Sequence, residues 1–343
     1  MKKQFLIGTL IVCLAGSLTA CQGGSKAAAD SKGTDAAAAK EETYTLKVSH
    51  VQGDNAPVVQ ALYQFEKDVE AASEGRLQIE VFPNGTLGDT VDLINQCKTG
   101  SNVAFMTDAG RFSDIVPDIG VICGPYLFDD YETGNKMVQS DVFEGWCAQL
   151  ADEGYKALSF NYYEGDRNIL TTKPINSMAD LKDVKLRTGS TKQWIDTLNA
   201  FGAIPTSLAQ SEVYTGIQQK VVDGADQQVV TVHDMQLYEV CKNYTMTHQY
   251  QLMLGLVLSN DWFNKLPADL QQILTDNSVK AGEYSSKLTL ELIDQQLEEM
   301  KSSGLVVNDT IDLTEFKAAA DQVYEMEGLT EARQKLLDAI KQD

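Results

Sequence analysis

Arginine is scarce in this chain. Of its 28 basic residues only five are arginine: Arg76, Arg111, Arg167, Arg187 and Arg333. Lysine supplies the surface charge, so an arginine needs a reason of its own. Arg187 has the most informative setting, in residues 181–190, Leu-Lys-Asp-Val-Lys-Leu-Arg-Thr-Gly-Ser. Alternation puts Val184 and Leu186 on one face of a short strand, with Lys185 and Arg187 on the other. Ser190, with Gln193 three residues on, predicts a capping box opening a helix that Gly202 closes. Arg187 therefore falls at the carboxyl end of a strand, where α/β sheets bind ligands. A guanidinium fork grips a carboxylate through two parallel hydrogen bonds, which lysine cannot do. A structural ion pair would use the same residue type, and the strand alone does not choose between the two.

Other chemistry is thin. The histidines are His50, His233 and His248, at spacings unlike HExxH or a facial metal triad. No G-x-S-x-G elbow, P-loop or G-x-G-x-x-G occurs, so no catalytic residue, metal or cofactor is assigned. An enzyme built on dispersed carboxylates, a surface-anchored hydrolase acting on acidic glycans, is the alternative. Acidic residues are abundant on any anionic surface, however, and no nucleophile–base constellation supports it. His50 ends a strand, where it either touches ligand or satisfies local backbone.

The N-terminus sets the compartment. Lys2 and Lys3 precede an apolar core over 5–14 that is too short to span a bilayer. Leu18-Thr19-Ala20-Cys21 resembles a bacterial lipobox. Residues 1–20 are thus expected to be a lipoprotein signal peptide and Cys21 the lipidated N-terminus. Residues 21–42 hold no large apolar side chain and read as a flexible tether. The expected location is extracytoplasmic, lipid-anchored to the cell membrane. The formal charge of −21 argues against nucleic acid and anionic lipid surfaces as partners. Cys97, Cys123, Cys147 and Cys241 form no CxxC pair and are expected as buried thiols.

About 300 residues remain, enough for two domains. Tyr44-Thr45-Leu46-Lys47-Val48-Ser49 alternates as a strand and delivers His50. A helix from Pro57, a strand at 77–81, a helix from about Asp89 and a strand at 103–107 follow. This β-α-β-α-β order predicts a parallel sheet. A helical stretch from Asp130 to Gly154 leads to a strand at 156–162, and a second set of elements starts at Gly165. Residues 250–259 are strand-like. From Pro267 a helical pattern continues to Ser303, roughly 55 Å if unbroken, with Gly282 as a candidate bend. Such a helix would brace both domains. Residues 313–342 suggest one or two amphipathic helices.

Read together, these segments resemble the substrate-binding proteins of TRAP transporters, the DctP-type extracytoplasmic receptors, from about Thr43 to Ser303. The matching pieces are His50 after the first strand, Phe82-Pro83-Asn84-Gly85-Thr86-Leu87-Gly88, Pro125-Tyr126-Leu127-Phe128 and Gly165-Asp166-Arg167. Residues 181–188, Ser211-Glu212-Val213-Tyr214, Val222-Asp223-Gly224, Leu237-Tyr238-Glu239-Val240 and Leu266-Pro267 also match. The resemblance implies an α/β, two-domain periplasmic-binding-protein-like fold with an interdomain ligand cleft and a long helix spanning both domains. The expected division is 43–164 with 253–292, and 165–252 with 293–343. It implies capture of a small organic acid, a C4-dicarboxylate or a sugar acid such as a uronate, for a TRAP permease in the membrane. Arg187 corresponds to the family arginine that pairs with the carboxylate, and Arg167 to a second basic contact. Gln227 stands where the family often has Asn. His50, Asp226, Tyr163 and Asn55 complete the expected ligand-binding set, with hydroxyl-reading groups that favour a sugar acid. A monomer is expected.

Overall fold

The computed structural model describes residues 42–341. The signal segment, Cys21 and nearly all of the tether lie outside the described residues. The N-terminal βαβαβ unit follows from the hydrophobic pattern. β1 (Tyr44–Ser49), α1 (Pro57–Ala72), β2 (Leu77–Phe82), α2 (Thr90–Lys98) and β3 (Val103–Asp108) come in order, with β1 paired in parallel between β2 and β3. Pro57 opens α1 where a missing N–H costs little, and Val58, Leu62, Phe65 and Val69 bury one stripe of it. Asp89 and Asp92 form a capping box at the start of α2.

The stretch from Asp130 to Gly154 is two helices, α3 (Tyr131–Val138) and α4 (Asp141–Asp152). Ser140 starts the second by accepting the Phe143 N–H on its hydroxyl. β4 then departs from expectation. A single 17-residue strand, Tyr155–Thr171, runs through the point where a new domain was expected to begin. The second half adds β5 (Lys185–Thr188), α5 (Lys192–Ala200), β6 (Ile204–Ser207), α6 (Val213–Gln218), β7 (Gly224–Gln228) and α7 (Val229–Asp234). β8 (Asn243–Ser259), α8 (Asn260–Phe263), α9 (Ala268–Ser302), β9 (Val306–Asn308), α10 (Thr314–Met326) and α11 (Thr330–Ala339) complete it.

Among the described residues the strands form one mixed sheet, in the order β2-β1-β3-β8-β4-β7-β5-β6, with β9 on β8. The antiparallel pair β4/β8 occupies the middle, and each domain hangs from one side of it. The expected boundaries near 164, 252 and 292 therefore fall inside continuous elements. On the β7-β5-β6 side, Ile169 packs with Leu186, Leu198, Phe201 and Phe316, while Leu170 packs with Val213, Val222, Val229 and Tyr244. Successive β4 residues serve opposite faces, so this half of the sheet is covered on both. The C-terminal helices divide between the domains. Phe316 and Ala320 of α10 join the second core, whereas Ala332 and Leu336 of α11 join the first.

α9 is 35 residues long, about 52 Å, and packs on α1 of the first domain, on α7 of the second and on β4 between them. It continues through Gly282 because that glycine has a packing role. A Cβ there would lie 2.1 Å from Asn161 Oδ1 on β4. Cys97, Cys123, Cys147 and Cys241 are unpaired thiols.

Candidate ligand-binding site

Arg187 lies at the end of β5, where Gly189 and Ser190 turn the chain into α5. The helix begins later than the capping-box pattern suggests. Thr191 occupies the N-cap position, but its hydroxyl donates to Asp108 Oδ1 at 2.8 Å, and Arg111 Nη1 donates to the Ser190 hydroxyl at 2.6 Å. Both residues are thus used across the cleft rather than on their own helix. Gly189 fits closely where it is, since a Cβ would lie 3.0 Å from the Trp194 ring and 3.2 Å from Arg111 Nη2. Gly202 closes α5 with φ of +85°, as expected.

The cleft and its open mouth hold about 480 Å³ of space free of protein atoms. Arg111, Arg167 and Arg187 all line it. Their partners differ. Arg167 donates from Nε to Asp226 Oδ2 at 3.0 Å, sits with Nη2 2.8 Å from Oδ1, and lies 4.2 Å over the Trp194 ring. Burial works against its charge, but Asp226 outweighs that and raises its pKa. Arg111 donates from Nε to Asp108 Oδ2 at 3.0 Å. Arg187 has no carboxylate partner among the described residues. Its Nε and Nη2 both donate to the Leu208 carbonyl, at 3.1 and 2.9 Å, and the residue is 4% exposed. Burial, followed by repulsion from Arg167, lowers its pKa to about 9. It therefore remains a cation at neutral pH, held out of water with its charge unanswered.

The remaining lining is polar and incompletely satisfied. His50 follows β1, 4% exposed, with neither ring nitrogen hydrogen-bonded; burial lowers its pKa to about 4, so it is neutral. Its Nε2 lies 3.8 Å from Glu164 Oε1. Glu164 accepts from the side-chain amides of Gln52 and Gln228, each at 3.3 Å. Burial pushes its carboxyl up to about 7, against the pull of Arg167. Trp194 Nε1 and Gln228 Oε1 are also buried without partners. Unpartnered buried polar atoms cost free energy, and here the residues that carry them line one cleft.

The expected site residues separate into two groups. His50, Arg167, Arg187 and Gln227 line the cleft together. Asp226 lies behind it as the counter-ion of Arg167. Tyr163 does not reach it: its hydroxyl donates to Gln251 at 2.5 Å and its ring packs on Tyr131 of α3. Asn55 is exposed in the loop before α1, and Gln52 of the same loop is the residue that turns inward, to Glu164 and Thr231. Gln52, Asp108, Arg111, Glu164, Trp194 and Gln228 were not singled out from sequence. Arg111 could have been, by the scarcity of arginine that drew attention to Arg187.

The profile of bacterial extracellular solute-binding protein family 7, DctP, matches residues 48–329. The chain belongs to this family, the solute receptors of TRAP transporters. Among curated relatives, the DctP-family chain is 28% identical over 268 residues to the 2,3-diketo-L-gulonate-binding periplasmic protein YiaO of Escherichia coli K12, covering 78% of this chain and 81% of that one. Two solved TRAP periplasmic solute-binding proteins sharpen the comparison. The protein from Actinobacillus succinogenes with bound L-galactonate superposes with a TM-score of 0.84 at 28% identity, covering 88% of this chain and 100% of the other. The apo open protein from Escherichia fergusonii is 34% identical but superposes with a TM-score of only 0.75, covering 86% and 99%. The likeness in fold is thus greater to the ligand-bound protein than to the apo open one, although the identity is lower. The Arg111–Ser190 and Thr191–Asp108 contacts join the two sides of the cleft in this structure.

Proposed function

We propose that the chain is the extracytoplasmic receptor of a TRAP transporter, which captures a small organic acid on Arg187 and delivers it to a membrane permease. The observation that carries this reading is the buried Arg187 guanidinium without a carboxylate of its own. An ion in that position is stabilised by an anion with good fork geometry, and a ligand carboxylate supplies one. Arg167 and Arg111 are already paired with Asp226 and Asp108, so Arg187 is the arginine of the cleft left for an anionic group of the ligand. A C4-dicarboxylate or a sugar acid such as a uronate is the ligand class. The relatives that bind 2,3-diketo-L-gulonate and L-galactonate favour the sugar acid. Ligand contacts from both domains favour closure, and the ligand shifts the open–closed equilibrium by its differential affinity. Lipidation at Cys21 would keep the receptor beside the permease, and the chain acts by binding rather than by catalysis.

Calorimetric titration with a panel of organic acids tests this. Arg187→Ala should lose about 2–5 kcal/mol of binding, tens- to thousands-fold in affinity. Arg187→Lys should also bind weakly, because the fork is lost. Near-native affinity in Arg187→Ala would reject the assignment.

A further inference from the structure

Two ionisable groups in the cleft are left without a counter-ion, and they are of opposite sign. One is Arg187. The other is Glu164, 4% exposed, with no lysine or arginine partner among the described residues. They come from different parts of the sheet. Arg187 ends β5, where its register neighbour is Ala225 of β7. Glu164 lies in the middle of β4, beside His50 at the end of β1. The cleft is therefore bipolar, with a site for an anion on Arg187 and a site that repels one at Glu164.

What lines the cleft together with Glu164 defines its complement. Trp194 Nε1 is an unpartnered donor and Gln228 Oε1 an unpartnered acceptor, while the two ring nitrogens of neutral His50 offer one of each. A hydroxyl group donates and accepts, so a row of hydroxyls satisfies all of them. An ammonium group only donates and would leave Trp194 Nε1 unanswered. A second carboxylate only accepts and would face Glu164.

We propose that Glu164, with His50 beside it, is the specificity-determining group of the cleft, accepting hydroxyls of a monocarboxylic hydroxy acid held on Arg187 and turning away a second carboxylate. This rests on the receptor reading above. The charged and titratable groups that face Glu164 are His50 from the end of β1, Arg167 on its own strand and Asp234 at the end of α7. His50 is uncharged and Arg167 is committed to Asp226. Nothing therefore neutralises Glu164 except a proton, and the discrimination relaxes as it takes one up.

The test uses a matched pair, galactonate and galactarate, which differ only in a terminal hydroxymethyl or carboxylate. Titration calorimetry of the wild-type protein at about pH 8 should show galactonate binding at least ~10-fold more tightly. The ratio should narrow several-fold at about pH 5.5, where both acids remain ionised. Glu164→Gln should show the narrow ratio at both pH values, chiefly by gaining affinity for galactarate. The wild-type pH series needs no variant, so it reads the same group independently of any effect of the substitution on folding. A ratio unchanged by both pH and Glu164→Gln, a preference for galactarate at about pH 8, or tighter binding of a zwitterionic amino acid would each overturn the proposal. If acids bind through Arg187 but the ratio does not move, this inference alone fails. If wild type and Arg187→Ala bind the acids equally, the receptor reading fails with it.

Discussion

Thr191 donates its hydroxyl to Asp108 Oδ1 at 2.8 Å across the cleft, and Asp108 Oδ2 in turn accepts from Arg111 Nε. The start of α5 is thus joined to the end of β3 through one carboxylate. A hydrogen bond to a charged group contributes about 1.5–3 kcal/mol, and this one ties the end of β3 to the start of α5 across the cleft. Thr191→Val should shift the unliganded protein towards the open state and weaken ligand binding about 10-fold, mainly through faster dissociation. Small-angle scattering of the apo protein and stopped-flow dissociation would check this. Unchanged scattering together with unchanged dissociation would show that the contact does not hold the domains.

Asp226 is fully buried beneath Arg167. Removing one partner of a buried pair leaves the other charge unanswered, at about 3–5 kcal/mol. Asp226→Ala should lower stability by that order in urea denaturation and should also weaken binding, because Arg167 and Trp194 lose their fixed geometry. Asp226→Ala with wild-type stability would contradict the pairing.

Glu164 and His50 pull stability in opposite directions with pH. The Glu164 carboxyl, at about 7 in the folded protein against an ordinary 4.5, holds its proton longer when folded. That contribution is present below pH 4.5 and is lost as pH rises to about 7. His50, at about 4 against 6.5, contributes above pH 6.5, and that contribution is lost as pH falls towards 4. Glu164→Gln removes the first effect, worth at most about 3 kcal/mol. Its melting temperature should exceed that of wild type by several degrees at about pH 8 and by much less at about pH 5. The reverse order would contradict the protonation assignment.

Two glycines inside helices should respond oppositely to alanine. At Gly282 the new Cβ would meet Asn161 at 2.1 Å, whereas Gly145 in α4 has nothing within 4 Å. Gly282→Ala should destabilise by about 1–3 kcal/mol or more. Gly145→Ala should stabilise by up to about 1 kcal/mol. Parallel thermal melts compare them directly.

Alternation and residue scarcity were enough to place Arg187, because β5 is a regular strand with Leu186 packed on one face and the guanidinium on the other. The two α/β domains and the bracing helix were legible for the same reason: their hydrophobic periods are unbroken. Glu164 was not legible. It precedes Arg167 by three residues, so a regular strand would set them on opposite faces. The register shift between Tyr163 and Asp166, with Gly165 at φ of +91°, brings both into the cleft. The same bulge hid the length of β4, since Glu164-Gly165-Asp166 reads as a strand end. Arg111 belongs to a 3-10 turn with no periodicity, and its partner Ser190 lies 79 residues away. Asn55 and Tyr163 stand apart from the cleft lining because chemical type says nothing of direction: the loop turns Gln52 inward, and Tyr163 packs on Tyr131 of α3.

β4 and β8 each contribute side chains to both domains. Leu158 and Leu256 belong to the first core, and Ile169, Leu170 and Tyr244 to the second. Neither domain owns a complete sheet, so neither can melt while the other persists. The molecule should denature in one calorimetric transition, and neither half expressed alone should hold its fold. A molecule built this way has no lobe that can come undone by itself and offer a half-unfolded chain to a protease.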